Sequence, residues 1–195
     1  MRVVGGKFRS APLVAPAHMQ TRPTSDRVRE AIFNILRNGV PRLAVEGARV
    51  LDLFAGTGAL GIEALSRGAV CCVFVEIDAA ARAAIRRNIE ALGLTGATKV
   101  FRRDATELGP AGARGGAHLV FLDPPYGRGL AERALAAAAH GGWLANGARV
   151  VLEERKDATV ALPHGFALQD RRTWGETQVM FAAWDALVRA SHASN

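Results

Sequence analysis

From Ala48 onward, short apolar runs alternate with stretches whose apolar residues recur every three or four positions. The runs read as buried strands at Ala48–Phe54, Val70–Glu76, Thr98–Arg102, His118–Asp123 and Arg149–Glu153. The stretches between read as helices at Ala59–Arg67, Asp78–Leu92 and Arg128–Ala139. In the second of these, Ala81, Ile85, Ile89 and Leu92 share one face, Asp78 opens the helix and Gly93 closes it. Strands alternating with helices imply right-handed crossovers and a mostly parallel sheet covered on both faces, an α/β fold. The end of the chain breaks this rhythm. Phe166–Thr173 and Thr177–Asp185 are strand-like and separated by Trp174-Gly175-Glu176, which predicts an antiparallel hairpin at the sheet edge and brings the strands to seven. Gly109–Gly116 reads as a Gly-rich surface loop, and the pattern offers one core.

The first forty residues follow a different pattern. Val3-Val4 and Leu13-Val14-Ala15 predict a small hairpin, with Lys7 and Arg9 on or near its turn. Thr24 or Ser25 suits a helix N-cap, and Asp26 suits the positive end of the helix dipole. Val28, Ala31, Ile32, Ile35 and Leu36 recur at helical spacing, so a helix runs to about Arg37 and stops before Gly39. Its other face shows Arg27, Glu30, Asn34 and Arg37.

Charge sharpens this. The chain of 195 residues carries a formal charge of +7, and seven cations against two anions fall between Met1 and Val40. A basic hairpin followed by an arginine-bearing helix predicts an arm that faces nucleic acid. Cys71 and Cys72 are adjacent, and alternation sends their side chains to opposite faces, which predicts free thiols in a reducing compartment. No run approaches the ~18 apolar residues of a membrane helix, and the N-terminus lacks a signal-peptide core, so a cytoplasmic protein is expected. His18, His118, His140, His164 and His192 are scattered in sequence, so no metal is expected.

Candidate chemistry gathers where strands end. Gly56, Gly58 and Gly61 match G-x-G-x-x-G between a strand and a helix, and Glu76 follows Gly56 by twenty residues at the next strand's end. Two cofactors share that fingerprint, a nicotinamide dinucleotide and S-adenosylmethionine. Asp52 discriminates between them, since an anion repels a pyrophosphate but suits an ammonium or a sulfonium. No Gly-Lys-Ser/Thr follows, which excludes a Walker loop. Asp104 follows the third strand, and Asp123-Pro124-Pro125-Tyr126 closes the fourth. Two prolines cannot continue a ladder. An acid, free carbonyls and a flat ring would hold a planar amino group; the same four residues also make an ordinary strand-ending turn. Asp52, Glu76, Asp104 and Asp123 thus close four successive strands at one rim.

The glycine loop, Glu76, Asp104 and Asp-Pro-Pro-Tyr in this order resemble a class I, Rossmann-like S-adenosylmethionine-dependent methyltransferase acting on exocyclic amines of nucleobases. Arg2-Val3-Val4-Gly5-Gly6, the stretch Arg22-Pro23-Thr24-Ser25-Asp26-Arg27-Val28-Arg29-Glu30-Ala31-Ile32-Phe33-Asn34 and the late Trp174-Gly175-Glu176-Thr177 are similar to the RsmD family, bacterial enzymes that methylate guanine N2 in small-subunit (16S) ribosomal RNA. The family pattern has Tyr where this chain has Trp174. The resemblance implies that residues 1–40 form a basic, RNA-facing extension and 41–195 the S-adenosyl-L-methionine-binding domain. It implies that Asp52, Gly56, Thr57 and Gly58 line the methionine part of the cofactor, Glu76 the ribose and Asp104 the adenine. Asp123, Pro124, Pro125 and Tyr126 would hold the target base, and Lys7, Arg9, Arg22, Arg27 and Arg29 the RNA. The implied partner is the small (30S) subunit or its RNA, met by a monomer. An adenine-N6 methyltransferase would use the same acid-Pro-Pro-aromatic turn, and a ribosome-assembly RNA-binding protein is the non-enzymatic alternative.

Overall fold

The computed structural model describes residues 1–16, 25–39 and 45–186. Seven strands form one sheet: β1 (Arg49–Leu53), β2 (Cys71–Val75), β3 (Thr98–Phe101), β4 (Ala117–Leu122), β5 (Leu144–Arg155), β6 (Phe166–Trp174) and β7 (Thr177–Trp184), in the order β3-β2-β1-β4-β5-β7-β6. The first five are parallel, and β7 pairs antiparallel with both β5 and β6, as the terminal hairpin predicts. The helices are α1 (Asp26–Asn38), α2 (Ala59–Ser66), α3 (Ala79–Ala91) and α4 (Leu130–His140). This is a Rossmann-like α/β fold. The strand order reverses between β1 and β4, and a crevice at the carboxyl ends of the strands is expected at that switch point.

Alternation along β1 divides the core. Val50 packs with Ile32, Phe33, Leu60, Ile62 and Ile85 on the side of α1, α2 and α3. Leu51 and Leu53 face the other way, with Leu135, Trp143 and the alanines of α4. Asp52 shares the parity of Val50 and therefore points towards α2. Both cysteines are free, Cys72 buried and Cys71 partly so. Strand β5 starts five residues before the sequence suggests, because Leu144-Ala145-Asn146-Gly147-Ala148 extends the ladder across a register shift opposite Ala117 and Leu119.

The N-terminal arm differs from expectation in two respects. Its hairpin is reduced to one antiparallel bridge, Arg2 to Pro12, held by Val3 N–H donating to the Ala11 carbonyl (2.9 Å) and Ser10 N–H to the Val3 carbonyl (2.8 Å). On the other side of Pro12 the Leu13 N–H donates to the Met1 carbonyl (3.1 Å). The arm is also welded to the sheet's helices: Val3 and Leu13 are buried in the α1–α3 core. Val4 N–H donates to Glu63 (2.8 Å), Phe8 N–H to the Ser66 hydroxyl (2.9 Å), and that hydroxyl to the Gly5 carbonyl (2.6 Å). Gly6 (φ 74°) lies so close to α2 that a Cβ would stand 2.0 Å from the Ser66 carbonyl oxygen.

In α1, Ser25 caps the helix by accepting from Val28 N–H (3.2 Å). Its buried stripe is Arg29, Ile32, Phe33 and Leu36, turned by about one residue from the predicted stripe. Arg29 therefore points inward. It is fully buried, donates to the Arg2 carbonyl (2.6 Å) and pairs with Asp26 (2.7 Å). The expectation that Arg29 contacts RNA is thus corrected: its guanidinium ties the arm to α1. Lys7, Arg9 and Arg27 are exposed, and Arg22 lies outside the described residues.

Candidate active site

β1 turns into α2 through Phe54, Gly56 and Gly58, all with positive φ (56°, 55° and 75°). Glycine takes that conformation without steric cost, whereas Phe54 takes it against preference. The turn is stapled to the next strand's end. Glu76 accepts from Gly56 N–H at one oxygen and from Asp78 N–H at the other, both at 2.8 Å. Each carboxylate oxygen has a second lone pair, so the cross-link leaves acceptor capacity for a diol. Asp78 caps α3 by accepting from Ala81 N–H (2.7 Å).

The crevice at the switch point is a cleft of about 460 Å³. Glu76, Asp104 and the run Asp123, Pro124, Pro125, Tyr126 all line it, with Phe54 and Ile77 supplying apolar wall. Ile77 is 63 % exposed at the lip, directly after Glu76. Asp104 sits just past β3, its Oδ1 accepting from both the N–H and the hydroxyl of Thr106 at 2.8 Å. Those two bonds hold its carboxyl below the usual range, so it is an anion at neutral pH. Tyr126 is half-buried, and its hydroxyl donates to Glu153 (2.9 Å) and lies 3.3 Å from the Thr177 hydroxyl. Burial raises the phenol well above its ordinary value, the Thr177 bond opposes this, and the charges of Glu153 and Asp123 add to the rise, so the ring stays neutral.

Asp52 departs from the expectation. It does not line the cleft. It is 2 % exposed, and its Oδ2 accepts from Gly61 N–H at 3.0 Å beneath α2. Burial pushes its carboxyl up to about 8 against the lowering effect of the Gly61 bond, and the charge of Glu76 adds a little. The cause is alternation: Asp52 precedes the last residue of β1, so its side chain turns under the glycine loop rather than into the crevice. With its carboxyl raised to about 8, Asp52 is mainly protonated at pH 7 in the ligand-free chain. The glycine loop Gly56-Thr57-Gly58 shapes the cleft through the bond from Gly56 N–H to Glu76.

A pH effect follows. The Asp52 carboxyl rises from 3.8 to about 8 on folding, so between those values the folded chain binds more protons than the unfolded one. Its contribution to stability is therefore full below pH ~4 and is lost as pH climbs towards ~8. The urea midpoint of the wild type should fall between pH 5 and 8 more steeply than that of Asp52→Asn. Parallel profiles for the two proteins would refute the assignment.

Two residues that sequence reasoning missed stand out. Glu153, buried near the end of β5, lines the cleft and anchors Tyr126. It ends a predicted strand at the same rim, so the rule that selected the other acids also selects it. Asn88 on α3 contacts Thr57 of the glycine loop; its signal is a polar residue on the apolar stripe of Ile85 and Ile89. Among the described residues no cluster of His, Cys, Asp and Glu suits a metal, and no helix is long and apolar enough to cross a membrane.

A family model described as "Conserved hypothetical protein 95" matches residues 1–183. "Ribosomal RNA small subunit methyltransferase D" of Escherichia coli K12 is 35 % identical over 178 residues, covering 90 % of this chain and 86 % of its own. The chain belongs to the RsmD family. The solved structure of yhhF from E. coli superposes with a TM-score of 0.81 at 32 % identity, covering 95 % of this chain and 98 % of that one. An RNA methyltransferase from Salinibacter ruber, solved with S-adenosyl-L-homocysteine, has the same fold (TM-score 0.62, 17 % identity, 85 % and 95 % covered). Membership of the RsmD family accounts for the strand order and for the glycine loop beside an acid at the end of β2.

Proposed function

We propose that this protein transfers a methyl group from S-adenosyl-L-methionine to the exocyclic N2 of a guanine in small-subunit ribosomal RNA, acting on the assembled subunit. The observation that carries the reading is the meeting of Glu76, Asp104 and Asp123–Tyr126 in one cleft at the switch point. Its cofactor half fits that donor. Glu76 offers acceptors to a ribose, Ile77 an apolar ledge to a base, and Asp104 an anion to an adenine amino group. When bound, the cofactor supplies an electrophilic methyl on a sulfonium.

Everything else falls to this chain's own residues. A guanine amine is a poor nucleophile, since its lone pair is delocalised into the ring. Asp123 and the Pro124 carbonyl accept its two N–H bonds, turn the lone pair towards the methyl group and stabilise the positive charge that grows on nitrogen. Tyr126, held by Glu153, offers its face to the base, a contact worth about 1–3 kcal/mol. The proton leaves after the charge has appeared, so the site needs no strong base. The base must first leave its stack or arrive in a loop.

Support for ribosomal RNA as substrate comes from the relative's activity as named and from the basic arm; support for guanine N2 comes from the N-terminal resemblance. The deciding experiment incubates unmodified small subunits, and in parallel their naked RNA, with labelled S-adenosyl-L-methionine and identifies the product nucleoside by mass spectrometry. N2-methylguanosine on the subunit is expected. N6-methyladenosine overturns the guanine assignment, and label on naked RNA alone overturns the subunit.

The arm carries a separate prediction. Replacing the exposed Lys7, Arg9 and Arg27 together by Ala should weaken RNA binding and flatten its log–log salt dependence by about 2. An unchanged slope assigns those cations to solvent.

A further inference from the structure

Asn88 is 2 % exposed and sits on the apolar face of α3, yet the hydrogen bonds of its side chain to Val14 and Thr57 leave the helix. Its Oδ1 accepts from Val14 N–H at 2.8 Å, and its Nδ2 donates to the Val14 carbonyl at 3.0 Å. An amide meeting one residue's donor and acceptor together copies the pairing of adjacent strands. The same Nδ2 also donates to the carbonyl of Thr57, at 3.2 Å. Thr57 lies between Gly56 and Gly58, whose positive φ angles set the cofactor loop. One buried side chain thus grips both the basic arm and the glycine loop.

A second contact joins the same two elements. The Thr57 hydroxyl donates to Met1 Sδ at 3.4 Å, at the other end of the arm. From Thr57 the connection continues through Gly56 N–H to Glu76 in the cleft wall. The arm that carries Lys7 and Arg9 is therefore in direct contact with the loop that shapes the cofactor site, and neither can shift without disturbing the Asn88 amide.

We propose that Asn88 is a positioning residue that couples RNA binding on the arm to cofactor binding at the glycine loop, with positive sign. The proposal rests on the reading of the arm as RNA-binding. The physical basis is a shared clamp. RNA that fixes the arm fixes Val14, hence the Asn88 amide, hence the Thr57 carbonyl, and the loop is then already in its binding conformation when the cofactor arrives. Linkage requires the converse: cofactor tightens RNA by the same factor. Couplings of this kind typically amount to ~5–150-fold.

The test measures affinity for S-adenosyl-L-homocysteine, which binds without turnover, by calorimetry on the full chain with and without saturating small subunits. Wild type should bind it at least ~5-fold more tightly with subunits present. In Asn88→Ala that ratio should collapse towards one while each binary affinity remains measurable. A role confined to stability predicts an unchanged ratio, as would loss of an unrelated buried bond. Should Asn88→Ala melt below the assay temperature, Val14→Pro, at an exposed side chain, removes the Val14 N–H bond while leaving the Asn88 side chain in place, and should also lower the ratio. A wild-type ratio of one, or an undiminished ratio in the folded variant, overturns the coupling. Methylation assays on the same subunits separate the two readings. Wild type that neither binds nor methylates them overturns the RNA assignment and the coupling with it, whereas methylation with a ratio of one overturns the coupling alone.

Discussion

Asp123→Ala should lower single-turnover methyl transfer by at least ~10²–10³-fold, the usual loss when one preorganised group facing a developing charge is removed, while leaving affinity for S-adenosyl-L-homocysteine within a few-fold. The asymmetry follows from position. Asp123 comes just after β4, is half-buried and lines the cleft beside Pro124 and Tyr126, whereas the other end of the cleft is formed by Glu76, Ile77 and Asp104. On the proposed mechanism, removing the acid would take one acceptor from the amine and stabilisation from its growing charge, and leave the bonds of Glu76 in place. Asp123→Asn keeps one acceptor oxygen and should fall between wild type and Ala. Rapid-quench transfer of a labelled methyl group and calorimetry of the product cofactor measure the two quantities separately. Cofactor affinity that falls as far as the rate would move Asp123 into the cofactor's own site.

The second large effect concerns folding beneath the cofactor loop. A Cβ on Gly61 would stand 2.5 Å from Phe74 Cε1, 2.6 Å from Cys72 Sγ and 2.9 Å from Asp52 Oδ2. Phe74 and Cys72 are fully buried on β2 and have nowhere to retreat. Gly61→Ala therefore pushes α2 away from the sheet and stretches the bond from Gly61 N–H to Asp52. Overpacking of this kind costs about 1–3 kcal/mol, read as a lower urea midpoint with unchanged slope. Because Gly58 is the N-cap of α2, the displaced helix carries the loop with it, and cofactor affinity should fall as well. A wild-type midpoint would show that the core yields at this point. The third glycine of the fingerprint is thus required by helix–sheet contact, and the first two by backbone conformation.

Much of this was legible in the sequence, and the failures share a cause. Strand–helix alternation and the terminal hairpin signal together located six of the seven strands to within a few residues, and the carboxyl-end rule brought Glu76, Asp104 and Asp123 to one cleft. The rule overreached at Asp52, one residue short of its strand's end, where alternation reverses the direction of the side chain. Arg29 was misread for a related reason. A count of cations cannot see that positions 29, 32, 33 and 36 share a helix face, and the true stripe of α1 includes the arginine. Strand β5 was underestimated because its first half pairs with β4 only across an irregular register. In each case residue type was legible and direction was not, since direction is decided by a neighbour distant in sequence.

The anchoring of Tyr126 has a bearing on synthesis. Its hydroxyl is fixed by Glu153 on β5 and approached by Thr177 on β7, strands that leave the ribosome after the cofactor-facing half of the chain is complete. A nascent chain ending near Gly142 has every residue proposed to touch S-adenosyl-L-methionine, but the ring that would receive a base still lacks its support. The support for the proposed base platform is thus completed after the proposed cofactor site, by β5 and then by the β6–β7 hairpin.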